Sequence, residues 1–301
     1  MTRRQVLQLA AAALARAGEA PRLAVTMDDV NWKAIPDDYK DRADDSILAA
    51  LKDCGDLKAA LFVCGANVDN QGGRQILQAW NHAGHLLGNH TYSHRLYDSV
   101  SFEDFSADAL RCEPLLAGHS QFRKFLRFPA LKEGDTAAKR DRMRAFLADR
   151  GYRNGHVTID ASDWYYDLRL RQKLQQQPRF DVERYRDPYL AHLWDRAAYY
   201  ENLATSVLGR SIPHTLLIHY NLLNALFLRD VLAMFRERGW KWIDASEAFR
   251  HPVFLSAPKT VPAGESLVWA LAKETGRFDG ELRYPGEDDT YEKPKLDGLG
   301  L

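Results

Sequence analysis

Seven short apolar runs separated by stretches of helical spacing constrain this chain more than any other feature. The runs lie at 23–27, 57–64, 85–88, 125–129, 155–160, 215–219 and 240–244, with helical segments at 44–53, 74–83, 101–116, 135–150 and 223–238. A strand followed by a helix, repeated about seven times, predicts a parallel sheet, and at 301 residues a barrel is the economical way to close it. The barrel is expected over 21–245, interrupted at about 165–210 by a basic, aromatic insertion that reads as one or two long helices. Residues 246–301 lack the alternation and are predicted to form an extension that packs on the barrel or frays.

In such folds the loops after the strand C-termini carry the site, so what stands at those ends matters. The run Leu23–Met27 ends in Asp28-Asp29. Neighbours on a strand point to opposite faces, so both carboxylates can serve one site only if the strand stops there and the backbone turns. The run 85–88 leads into Gly88-Asn89-His90-Thr91-Tyr92-Ser93-His94, where two imidazoles stand four residues apart. If the pair spans one helical turn, both rings share a face and can converge on one ion. Arg127 interrupts a hydrophobic strand, which calls for a carboxylate partner. The run 155–160 ends in acid and continues to Asp163-Trp164, and 215–219 ends in His219. One barrel mouth is therefore expected to gather Asp28, Asp29, His90, His94, Arg127, Asp163 and His219.

Composition narrows the partners. The 41 basic residues cancel the 41 acidic ones, so no field draws in nucleic acid or an anionic membrane. Cys54, Cys64 and Cys112 are an odd set without C-x-x-C spacing, at most one pair of them could form a disulfide, and they read as buried thiols. Residues 1–20 open with Arg3-Arg4 and continue as an apolar run to Ala15, the shape of a twin-arginine export signal. The run is too short for a stable membrane span. Export to the periplasm or outside is the expectation, and a cytoplasmic protein the alternative if this segment is an ordinary first helix.

Two histidines and one carboxylate are the ligand set of a divalent-metal hydrolase, because three protein ligands leave a position open. Either Asp28 or Asp29 can be the third ligand, the other then standing ready to take a proton, with Arg127 orienting it. His219, on a different strand, could protonate a leaving group, and Asp163 could keep it charged.

The strand-end Asp-Asp, His-Thr-Tyr-Ser-His, Arg-x-Pro, Asp-x-x-Asp-Trp and late Leu-x-His occur in the order seen in the polysaccharide deacetylases with a NodB-homology domain, carbohydrate esterase family four, which this chain resembles across about 28–219. The resemblance implies a distorted (β/α)7 barrel with a helical insertion and a C-terminal extension, and a zinc-dependent hydrolase of N-acetylated oligo- or polysaccharides, with cobalt or nickel as other metals. It makes Asp28 the general base, Asp29, His90 and His94 the metal ligands, Arg127 the residue orienting the base, His219 the general acid and Asp163 its partner. Trp164 would contact substrate. The family usually has an aromatic residue after the Arg-x-Pro proline; here it is Ala130, whose backbone N–H can still serve the oxyanion. Other readings are a related hydrolase of a different amide or ester, such as a formamide or small cyclic amide, and an inactive carbohydrate-binding relative.

Overall fold

The structure, a computed structural model, describes residues 19–283 and 288–301. The expected export signal, 1–20, lies outside the described residues but for its last two. The elements run β1 (Arg22–Asp29), α1 (Asp37–Asp53), β2 (Ala60–Val63), α2 (Gly65–Val68), α3 (Gln71–His82), β3 (Leu86–Asn89), α4 (Phe102–Leu116) and β4 (Phe122–Leu126). There follow β5 (Lys132–Gly134), α5 (Ala137–Asp149), β6 (Arg153–Asn154), α6 (Asp163–Gln176), α7 (Arg186–Leu208), β7 (Pro213–His219), α8 (Leu222–Glu237) and β8 (Lys241–Trp242). The chain ends with α9 (Ala245–Ala248), β9 (Ala263–Gly264), α10 (Leu267–Thr275) and α11 (Asp288–Leu299).

Seven parallel strands form a curled sheet in the order β6-β4-β3-β2-β1-β7, with β8 beside the start of β1. Helices cover the sheet, so β1, β2, β3 and β7 are buried along nearly their whole length, which is why they read as continuous apolar runs. The fold is a distorted (β/α)7 barrel. α6 and α7 form the helical insertion, and β5 pairs with β9 in a separate two-stranded antiparallel sheet that joins the C-terminal segment to the barrel mouth. α11 packs as well: its Glu292 and Leu296 are buried, as is Leu301 beyond its end.

One expected strand is not there. Residues 155–160 form no strand; the chain instead crosses the gap between the two edges of the sheet. Arg153 and Asn154 pair with β4, Gly155 donates to Leu126 O at 2.7 Å, and Ile159 then bridges to Leu216 of β7. A single segment thus closes the barrel by changing neighbours midway, so it cannot hold the register of a continuous strand. Gly155 makes the crossing feasible, because a Cβ there would stand 2.5 Å from the Phe62 ring. That ring fills the barrel interior beneath the site, with the Arg127 guanidinium 4.1 Å above its centroid.

Candidate active site

β1 ends as its two carboxylates require. Asp29 has φ 77 and Val30 φ 55, so the backbone turns left-handed at the strand end and both side chains reach the mouth. Asp28 is 2% exposed and receives Arg127 Nη1 on both oxygens, at 3.0 and 3.2 Å. Arg127 is itself buried just past β4, its Nη2 donating to Thr26 Oγ1 at 3.3 Å and its Nε to the Gly155 carbonyl. One Nη1 thus serves both Asp28 oxygens, and a buried guanidinium calls for such a charge partner.

His90 and His94 do not span a helical turn. They flank a loop in which Thr91 has φ 63 and His94 φ 54, and short polar contacts hold that shape. Asn89 Oδ1 accepts from Thr91 N at 2.8 Å, Thr91 Oγ1 from His94 N at 3.1 Å, and the Asp108 carboxylate from Ser93 N and Ser93 Oγ at 2.9 and 2.8 Å. The loop still brings the rings together, with centroids 4.9 Å apart.

His90 Nδ1 lies 2.8 Å from the Arg127 carbonyl oxygen, which can only accept. The proton is therefore on Nδ1, and the Nε2 lone pair faces Asp29 Oδ1 at 3.3 Å and Asp28 Oδ2 at 3.7 Å. His94 Nε2 also stands 3.3 Å from Asp29 Oδ1. That oxygen is buried and has no hydrogen-bond partner, a costly state for an ionised group unless a cation faces it. Burial acts to raise the Asp29 pKa, but the neighbouring histidines outweigh it and hold the carboxyl well below the usual range. Burial likewise opposes a charge on His90, while Asp28 and Asp29 raise its pKa. The pocket thus favours positive charge at this point. The three ligand atoms lie within 4.8 Å of one another, and ligands at about 2.0–2.2 Å from a tetrahedral ion would stand roughly 3.3–3.6 Å apart. The donor set therefore fits a divalent metal.

His219, at the end of β7, lies beside Asp28 in the sheet register. Its Nδ1 donates to Asp163 Oδ1 at 2.7 Å, leaving Nε2 for the cleft. The fully buried Asp163 also accepts from His219 N at 2.7 Å, Asn221 Nδ2 at 3.0 Å and Asn224 Nδ2 at 2.9 Å. Burial by itself would lower the His219 pKa; Asp163, with Asp29 and Asp28, instead raises it to about 10, so the ring is protonated at neutral pH.

All nine expected site residues therefore lie at one barrel mouth. Asp28, Asp29, His90, His94, Ala130, Trp164 and His219 line a cleft of about 390 Å³, with Arg127 and Asp163 directly behind. Ala130 lines the cleft in a left-handed conformation with φ 47. Four supporting residues escaped the sequence reading: Asn89 and Asp108 hold the histidine loop, and Asn221 and Asn224 hold Asp163. Only Asn221 carried a signal, as the cap before the apolar helix α8. Of the cleft walls, Glu265 and Trp269 of the C-terminal segment were missed, while Tyr200 comes from α7 of the aromatic insertion.

The model of the polysaccharide deacetylase family matches residues 15–153. No curated protein matches the chain. In fold the chain is similar to peptidoglycan deacetylase PdaC from Bacillus subtilis, with a TM-score of 0.51 and 19% identity over 77% of this chain and 91% of that one. It is similar to the chitin deacetylase of the fungal pathogen Colletotrichum lindemuthianum, with a TM-score of 0.52 and 18% identity over 76% and 88% of the two chains. A mutant of a CE4 family pseudoenzyme with restored enzymatic activity gives a TM-score of 0.51 and 18% identity over 76% and 67%. At these identities the likeness is one of fold.

Proposed function

We propose that this chain, matched by the polysaccharide deacetylase model over residues 15–153, is a divalent-metal-dependent hydrolase removing acetyl groups from N-acetylated sugars or polysaccharides of the chitin or peptidoglycan type. The observation that carries this reading is that a carboxylate held by Arg127 and a histidinium held by Asp163 flank one Asp-His-His triad in one cleft. Simple carbohydrate binding does not call for an acid and a base on either side of a cation site.

Asp29, His90 and His94 would hold the metal, zinc first among the candidates. Bound there, the metal supplies Lewis acidity, making a water easier to deprotonate and an acyl carbonyl easier to attack. Asp28 takes the proton of the attacking water; the bifurcated contact of Arg127 Nη1 with both its oxygens keeps it in one orientation. The backbone N–H of Ala130 serves the oxygen on which charge develops. His219, protonated at neutral pH, gives its Nε2 proton to the departing nitrogen as the C–N bond breaks. Asp163 stabilises that histidinium and sets its tautomer through the 2.7 Å contact. Trp164, 43% exposed at the rim of the cleft, offers a ring for a sugar to stack on. Carboxylate and free amine are the products.

A chelator is expected to abolish acetate release from acetylated chito-oligosaccharides or peptidoglycan fragments, and zinc to restore it. Full activity in a His90→Ala/His94→Ala variant would remove the metal from the mechanism. Export follows from residues 1–20 on this reading, and cell fractionation of the full chain tests it.

A further inference from the structure

The general acid is held in part from outside the barrel. Asp163 opens α6, and the residue before it, Ser162, makes no cap with its own side chain. The buried Ser162 N–H donates instead to His192 Nε2 of α7 at 2.9 Å. A ring nitrogen that accepts carries no proton, so the proton of the neutral ring is on Nδ1, which lies 3.3 Å from Glu292 Oε2 of α11. Burial lowers the His192 pKa more than Glu292 raises it, so the ring stays neutral, as an acceptor must. The Nδ1 contact lacks the alignment of a full hydrogen bond, but a buried N–H and a buried carboxylate at that distance still attract. Glu292 Oε2 also accepts from Tyr166 OH at 3.0 Å and Oε1 from Arg196 Nη2 at 2.9 Å, while the Tyr166 ring stacks on His192 with centroids 4.8 Å apart. One carboxylate of the C-terminal helix thus joins α6 to α7 behind the corner that carries Asp163.

Neither His192 nor Glu292 lines the cleft, so their influence on the reaction passes through Ser162. In the opposite tautomer Nε2–H would point at Ser162 N–H across 2.9 Å, leaving a buried backbone donor without an acceptor. The peptide would then turn to find one. That peptide leads into Asp163, whose Oδ1 accepts the Nδ1 proton of His219 at 2.7 Å. A displacement of about 1 Å in such a group can cost roughly 10²-fold in rate. Glu292, which when ionised can only accept, favours Nδ1–H and with it the tautomer that holds Ser162. Resting on the hydrolase reading above, we propose that His192 is a positioning residue for the general acid His219, and that Glu292 of the C-terminal helix sets its tautomer. The helical insertion and the C-terminal extension then act on the reaction together, through the one peptide ahead of Asp163.

The test exploits the leaving group. An amide nitrogen needs the His219 proton to depart, whereas 4-nitrophenolate leaves without one. The readout is the ratio of kcat/KM for an N-acetylated chito-oligosaccharide to kcat/KM for 4-nitrophenyl acetate, taken with the zinc-loaded full chain; general damage to the fold or the metal site lowers both. His192→Gln can accept from Ser162 N with its amide oxygen and donate to Glu292 with its NH2, and is expected to keep the ratio within about threefold of the unsubstituted chain. His192→Asn, one methylene too short to reach Ser162, and His192→Phe, which keeps the stack on Tyr166 but accepts nothing, are each expected to lower it at least about tenfold, with the loss in kcat and not in the oligosaccharide KM. Glu292→Gln is expected to lower the ratio about threefold or more when His192 is present and not at all in the His192→Gln background, where no tautomer can be lost. An unmoved ratio in His192→Asn or His192→Phe, or a fall as large in His192→Gln, overturns the positioning role and leaves the deacetylase reading standing. Equal falls on adding Glu292→Gln in both backgrounds overturn the part given to Glu292, and this comparison decides alone if neither His192→Asn nor His192→Phe folds. An unsubstituted chain that turns over no amide overturns the hydrolase reading and the proposal with it.

Discussion

Arg127 touches three parts of the chain from one buried position. Its Nη1 holds Asp28, its Nε donates to the Gly155 carbonyl, and its own carbonyl takes the Nδ1 proton of His90. A lysine could satisfy one of these contacts but not the planar fork, which ties the residue's presence to the whole constellation. Asp163 is comparable on the other side of the cleft. Its charge sustains the histidinium of His219, so Asp163→Asn is expected to lower that pKa from about 10 toward the ordinary 6.5. A general acid works only while protonated, and activity is lost as pH rises through its pKa. The alkaline limb of the kcat profile should therefore move to lower pH by at least about one unit, with kcat at neutral pH down by roughly 10²-fold. An unmoved alkaline limb would remove His219 from that role. These residues were legible because chemistry stands conspicuous at the end of an apolar run. Asn89, Asp108 and Asn224 were not, since they act on backbone N–H groups and side chains brought close only by the fold, and no spacing in the chain announces such a contact.

At the scale of elements, the turns and crossings diverged from expectation while the strands and helices mostly did not. The histidine pair looked like one helical turn because a four-residue spacing suits it; the loop reaches the same convergence through left-handed Thr91 and His94, whose stabilising partners lie on β3 and α4. Residues 155–160 looked like a strand because they are apolar and end in acid, yet they satisfy two sheet edges in turn. α1 supplies a prediction of its own. Asp44 accepts from Trp80 Nε1 at 2.8 Å and Tyr220 OH at 3.2 Å, tying α1 to α3 and to the residue after His219. Burial raises its pKa to about 6, more than those two hydrogen bonds lower it. The folded chain thus holds this proton more tightly than the unfolded one. The resulting stability is complete below the unfolded value near 3.8 and lost as pH rises through 6. Asp44→Asn keeps an acceptor without the charge and is expected to stabilise by about 1–3 kcal/mol above pH 7, with the gain vanishing below pH 4 in urea unfolding.

For the molecule as a whole, the barrel was readable from alternation alone, whereas the cleft walls were not. Trp269 and Glu265 arrive through a long-range antiparallel pairing between β5 and β9 that has no periodic signature, and the buried Glu292 of α11 meets Arg196 at 2.9 Å across the insertion. If Asp29, His90 and His94 bind zinc in the folded chain and not in the unfolded one, zinc must stabilise the whole fold. At 100 times Kd the gain is about 2.7 kcal/mol, a shift of several degrees in Tm. Scanning calorimetry of chelated and zinc-loaded protein checks this, and His90→Ala/His94→Ala should show no shift. The closing segment has a further consequence, for the order in which the chain folds. Thr26 bonds to Leu216 across 190 residues, Arg127 to Asp28 across 99 and His219 to Asp163 across 56. Such contacts form late, because the intervening chain must be ordered before they return any free energy. The stretch from Arg153 to Asp163 both zips β4 to β7 and delivers the partner of His219, so completing the barrel and arming the general acid are one event.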